Sequence, residues 1–236
     1  ALVAPAALAV TPGEEGISRV LASGKVDPPR NAPPRGDEAR GPFPRLTLAN
    51  AMLVDGTGAP PIGPVTLTIE NDTITRIAGS RPGDLDAEGE VIDVAGGYVL
   101  PGLIDAHVHL GTPSHAAAGA LTDPEYVLKL WLAHGVTTVR DVGAVMGLGW
   151  TLAHRERAAA GEISAPRLRV HAMFPPETAT AEDARAWVKA VRKRGADGVK
   201  FRGARPGPFA AAMAEAKRLG MKTSYHHAQL SVVQTN

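Results

Sequence analysis

Apolar and polar positions alternate with two different periods along this chain, and the change falls at Pro101. From Leu46 the runs LTLANAMLVDGTG and VTLTIENDTITRIA alternate apolar and polar residues, the period of half-buried strands. Asn71-Asp72 interrupts the second run and predicts a hairpin turn, and Asp55-Gly56 marks another turn. EVIDVAGGYVL adds a further short strand pair, so a small antiparallel sheet is expected over residues 45–100.

Beyond Pro101, apolar strand-like runs start near residues 103, 136, 167, 197 and 221, with helical stretches between them. Asp123-Pro124-Glu125 sets an N-cap with proline at the first helical position, and Gly135 stops that helix. A second helix is expected from about Trp150 to Gly161. A third is capped by Thr180 with Asp183 three residues on, carries Ala184, Trp187, Val188 and Val191 on its apolar face, and ends at Gly195. A fourth runs from Phe209 to Leu219, before Gly220. Strands alternating with helices of this length predict βαβ units with right-handed crossovers and a parallel sheet. The fold class expected is α/β: a partial (β/α)8 barrel with about five strands. A closed barrel takes eight strands and about 250 residues. In such sheets function gathers at the carboxyl ends of the strands, where His109, Asp141, His171, Lys200 and His226 fall.

Residues 1–44 read differently. ALVAPAALAV resembles the apolar tail of a signal peptide with an Ala7-Leu8-Ala9 cleavage pattern, which favours a periplasmic or secreted location over the cytoplasm. Residues 22–44 are rich in Pro, Gly and charge, and read as a linker. Three segments result: 1–44, a β segment over 45–100, and barrel units over 101–236.

Composition narrows the chemistry. A net charge of +1 and 4% aromatic residues give no basic patch or stacking platform for nucleic acid. No run reaches the roughly 18 apolar residues of a membrane span. With no cysteine, disulfides and thiolate metal sites are excluded, leaving His, Asp, Glu and modified Lys as metal ligands.

The most informative stretch is GGYVLPGLIDAHVHL. On a strand, positions i and i+2 share a face, so His107 and His109 can chelate one divalent cation, with Asp105 beside them as a supporting partner. The alternative is two unrelated polar residues at a strand end. Lys200, in GADGVKFRG, sits on a short apolar strand, where a charge is costly unless paired or modified. The alternative is a lysine whose stem lies on the sheet and whose charge reaches water. His226 and His227 close the fifth strand, and only one of them can face inward.

Taken together, ANAMLVDGTGAPPIGPVTLTIENDTITRIA, VLPGLIDAHVHL, GVTTVRDVG, GADGVKFRG and LGMKTSYHH resemble the amidohydrolase superfamily, in the family's order, over about residues 46–230. The nearest subgroup is the imidazolonepropionase-like and prolidase-like one. The resemblance implies a distorted (β/α)8 barrel with a small β-sandwich built from both chain termini. It also implies a centre of two divalent metals, zinc by default, on the barrel's C-terminal face. His107 and His109 match the ligands of the more buried metal. Lys200 matches the lysine that is carbamylated by carbon dioxide and bridges the two, and His226 matches the ligand of the second. His226 is preferred to His227 because it lies six residues after Gly220. The family's histidine after strand six and its catalytic aspartate after strand eight would lie beyond Asn236, so a piece of a longer protein is expected.

The activity implied is hydrolysis of an amide or related C–N bond by a metal-activated hydroxide, with peptides or N-acyl amino acids as substrates. The competing readings are a phosphotriesterase or lactonase, and a non-catalytic scaffold. His171 and Arg202 are candidate substrate contacts, the latter through its planar fork on a carboxylate. A hydrogen-bonded structural histidine and a solvated loop arginine are the respective alternatives. Arg140 and Asp141 either support the metal site or form an internal ion pair. His134, near a helix C-terminus, reads as a partner of the helix dipole. A homo-oligomer is compatible with all of this.

Overall fold

The computed structural model describes residues 41–111 and 124–226. The signal-like segment, nearly all of the linker, Asp123 and His227 lie outside them. The described residues fall into two compact units, divided between Leu103 and Ile104.

The first unit is one five-stranded sheet: β1 (Arg45–Leu53), β2 (Ile62–Glu70), β3 (Thr73–Gly79), β4 (Glu90–Asp93) and β5 (Tyr98–Val99). β1 and β2, and β2 and β3, pair antiparallel. The β2–β3 hairpin turns at Asn71-Asp72 as expected, with Asn71 in the left-handed region (φ 55°) that asparagine tolerates. At the Asp55 turn, one carboxylate oxygen accepts both the backbone N–H and the hydroxyl of Thr57. The expectation of a purely antiparallel sheet is corrected by β4 and β5. They do not pair with each other, and both run parallel to β1. The cause lies in β1. β1 is kinked at Asn50 (φ 57°), and the chain from β4 follows it round that kink. Val94 N–H donates to Ala49 O, Gly96 N–H to Asn50 O, and Met52 N–H to Gly97 O. Ala51, Leu53, Val65 and Leu67 form the core of this unit.

The second unit repeats strand and helix: β6 (Leu103–Val108), α1 (Glu125–Ala133), β7 (Val136–Gly143), α2 (Leu148–Ala159), β8 (Arg167–Met173), α3 (Ala181–Lys193), β9 (Gly198–Phe201), α4 (Pro206–Arg218) and β10 (Lys222–Tyr225). The strands lie in chain order, β6 to β10, and β7–β8, β8–β9 and β9–β10 are parallel. This is a partial (β/α)8 barrel of five strands, as the periodicity predicts. Thr180 caps α3, its Oγ1 accepting the N–H of Asp183 at 3.1 Å. His134 caps α1, with Nδ1 2.7 Å from Leu130 O. α4 starts three residues earlier than expected. Pro206-Gly207-Pro208 reads as a breaker, yet proline is accommodated in a helix's first turn, where its missing N–H has no partner to lose.

Alternation sorts each strand into two faces. Val108 and Leu110 pack with Leu128, Val139 and Leu168 under the helices. Ala172, Val199 and Phe201 pack with Val188, Val191 and Phe209 of α3 and α4. Each such fully buried Val or Phe contributes about 1.5–3 kcal/mol. The residues between them, His107, His109, Arg140, His171, Lys200 and Ser224, are left on the opposite, inner face.

Candidate metal centre

The sequence-predicted ligands come together at the carboxyl ends of β6, β9 and β10. The ring of His107 lies 5.5 Å from that of His109, edge to face, and 5.7 Å from that of His226. All three residues are exposed. His226 immediately follows β10, and its N–H donates to Phe201 O at 2.9 Å, which anchors it one strand from Lys200. Asp105 accepts the backbone N–H of His107 at 3.1 Å, so it supports the strand end and not an imidazole ring.

Lys200 is the buried member, 2% exposed in the middle of β9, in register with Met173 and Ser224. Its ammonium has no carboxylate partner among the described residues. Burial pulls its pKa below the ordinary lysine value, and the Arg140 and Arg202 charges push the same way. Its own charge is the leading influence that lowers His226, followed by burial. For His109, burial is the main depressing effect. Asp141 opposes it, while His107, Lys200 and Arg202 reinforce it.

These shifts bear on whether the residues suit a divalent cation. Metal binding needs neutral imidazoles, and here burial and neighbouring cations favour the neutral form of His109 and His226. Among the described residues, no group of three or more His, Cys, Asp or Glu side chains is already arranged to hold a metal ion. The open ring set therefore requires a further donor. Lys200 lies on the same inner face, and a carbamate there would add the negative charge that this cluster of His, Lys and Arg lacks. In donor chemistry the residues fit a metal; their geometry is an open one.

The other sequence candidates separate. Arg202 is exposed, and its charge acts on His109, Lys200 and His226, which places it beside the cluster. His171 is 1% exposed, with Nδ1 3.2 Å from Ser224 Oγ. Its Nε2 covers Gly198 so closely that a Cβ there would lie 2.5 Å away. Burial, then the Arg140 charge, lowers its pKa to about 4, so it is neutral near pH 7. Arg140 and Asp141 form no ion pair with each other; each directs its hydrogen bonds to backbone. Arg140 belongs to the cluster on the inner face, a position that only the strand alternation of TTVRDVG signals in the sequence.

Residues 98–231 match the model of the amidohydrolase family, more than half of the chain, and the chain belongs to that family. An uncharacterized protein of Mycobacterium tuberculosis is 38% identical over 96 residues, 40% of this chain and 14% of the relative. An adenine deaminase of Kosmotoga olearia is 39% identical over 77 residues, 31% of this chain and 12% of that enzyme. Among solved structures, an amidohydrolase superposes with a TM-score of 0.64 at 22% identity. A Xaa-Pro dipeptidase with methionine bound in its active site superposes at 0.61 and 21%. In both, 77% of this chain is covered, and it spans 56% of the solved chain. This chain therefore covers about half the length of those structures and a far smaller share of the curated relatives.

Proposed function

We propose that the protein carrying this chain is a metal-dependent amidohydrolase that cleaves an amide or related C–N bond, with dipeptides or N-acyl amino acids as substrates. One observation carries the reading: three histidine rings gather at strand ends beside a buried lysine that has no carboxylate partner among the described residues. His107, His109, His226 and Lys200 would hold the metal, two zinc ions being the default, with Lys200 as a carbamate formed from carbon dioxide. Bound there, divalent cations supply a water of lowered pKa and polarise the scissile carbonyl. Burial and the Arg140 and Arg202 charges lower the pKa of Lys200, which raises the share of the neutral amine that carbamate formation uses. The lowered pKa values of His109 and His226 favour the neutral imidazole that a metal ligand needs. Arg202 is exposed and makes no ion pair among the described residues, and a bidentate contact from it to a substrate carboxylate would favour substrates with a free α-carboxyl group. The family membership supports the hydrolase class, and a deaminase and a peptidase among the similar proteins are compatible with C–N bonds as targets.

Metal analysis together with a screen of dipeptides and N-acyl amino acids tests the reading. The protein is expected to hold stoichiometric metal, His107→Ala and Lys200→Ala to lose it together with turnover, and bicarbonate to speed reconstitution of the apo-protein. Stoichiometric metal in Lys200→Ala, or no effect of bicarbonate, would count against the carbamate.

A further inference from the structure

Arg140 and Asp141 are neighbours on β7, so their side chains leave the sheet on opposite faces. Both nonetheless reach the carboxyl end of β6. Arg140 Nε donates to the carbonyl oxygen of Ala106 at 2.7 Å. Asp141 Oδ2 accepts the N–H of Leu110 at 3.0 Å, while its Oδ1 accepts the N–H of Ala144 at 2.9 Å. Ala106 is the residue before His107, and Leu110 is the residue after His109. The two contacts therefore bracket the His107-Val108-His109 tripeptide, one from each face.

Regular strand β6 ends at Val108, so His109 lies just beyond the ladder, where the Asp141 carboxylate holds the N–H of the residue that follows it. Asp141 is fully buried, and a carboxylate is costly to bury. The bonds it accepts are both from backbone N–H groups at strand ends, which makes it a brace between the end of β6 and the turn after β7. A lysine at position 140 would keep the charge but not the directed Nε–H; an asparagine at 141 would keep the volume but only one acceptor oxygen.

We propose that Arg140 and Asp141 are positioning residues for the metal centre. They clamp the backbone on either side of the H-x-H segment and hold the two rings in the register in which they share one cation. This rests on the reading that His107 and His109 bind metal.

The test is metal affinity, measured by competition with a chromogenic chelator, together with the visible spectrum of the cobalt-loaded protein and the melting temperature of the metal-free form. Arg140→Lys, Arg140→Ala and Asp141→Asn are compared with Asp197→Asn. Asp197 accepts the N–H of Val170 at 2.8 Å at the other end of the sheet and pairs with Arg155, so its loss loosens the same barrel away from the site. The clamp predicts that affinity falls about 10- to 100-fold in the Arg140 and Asp141 variants, as for other partners that orient a ligand. It also predicts an altered cobalt spectrum in both Arg140 variants and little change in their metal-free melting temperature. Asp197→Asn should melt earlier yet bind metal as the unaltered protein does. Should Asp141→Asn fail to fold, Arg140→Lys decides the matter. Unchanged affinity and spectrum in the Arg140 variants overturn the clamp, and so does an equal loss in Asp197→Asn. Absence of metal from the unaltered protein is a separate outcome; it removes the metal reading itself and the clamp with it.

Discussion

His171 shows how far a residue's chemistry depends on what surrounds it. As a free side chain it titrates near 6.5, but inside the barrel burial and the Arg140 charge lower it to about 4. Lys200 acts in the same direction, and Asp197 opposes. The unfolded chain therefore takes up a proton at a pH where the folded chain does not. The stability that this histidine supports is complete above about pH 6.5 and is lost as pH falls toward 4. A gap of that size is worth on the order of 3 kcal/mol. Thermal melts between pH 7.5 and 4 should show that loss, and His171→Gln should flatten the profile. An acid limb as steep in the variant as in the parent would assign the effect to other groups.

At the scale of elements, two contacts are open to direct measurement. Gly198 starts β9 where His171 Nε2 and Lys222 O each lie 2.5 Å from the place a Cβ would occupy. The oxygen belongs to the backbone of β10 and cannot swing away. Gly198→Ala is expected to destabilise the protein by about 1–3 kcal/mol, the usual cost of overpacking, seen as a lower urea midpoint. A neutral result would mean that β9 and β10 separate easily. Thr180 is a separate case, because its Oγ1 satisfies an N–H that the helix cannot. Thr180→Ala should cost about 1 kcal/mol in urea melts, and Thr180→Ser much less, since the serine hydroxyl restores the bond. Equal losses in the two variants would exclude the cap as the cause.

Across the whole molecule, local signals and long-range ones carried different information. The five barrel strands start where the apolar runs do, because a parallel strand buried under helices must be apolar whatever its neighbours are. The hairpin at Asn71-Asp72 and the Thr180 cap are equally local, each settled within a few residues. The direction of β4 and β5 was not local: β1 is kinked at Asn50, and the later chain takes the hydrogen-bonding edge that the kink exposes. The start of α4 was hidden for the opposite reason, since Pro206 is a breaker within a helix but is tolerated in its first turn. In the candidate site, the i, i+2 spacing of His107 and His109 and the apolar setting of Lys200 were legible as chemistry. Sequence alone determined that these side chains share faces with period two. Only the tertiary structure decided which of them meet. Strand register sets His226 against His107, buries His171 on the inner face, and gives Arg140 and Asp141, for which an ion pair was one of two readings, separate backbone contacts 34 and 31 residues away. Alternation is a property of each strand's own backbone, whereas partners are chosen by how neighbouring strands align, and that alignment is fixed by packing between residues far apart in the chain.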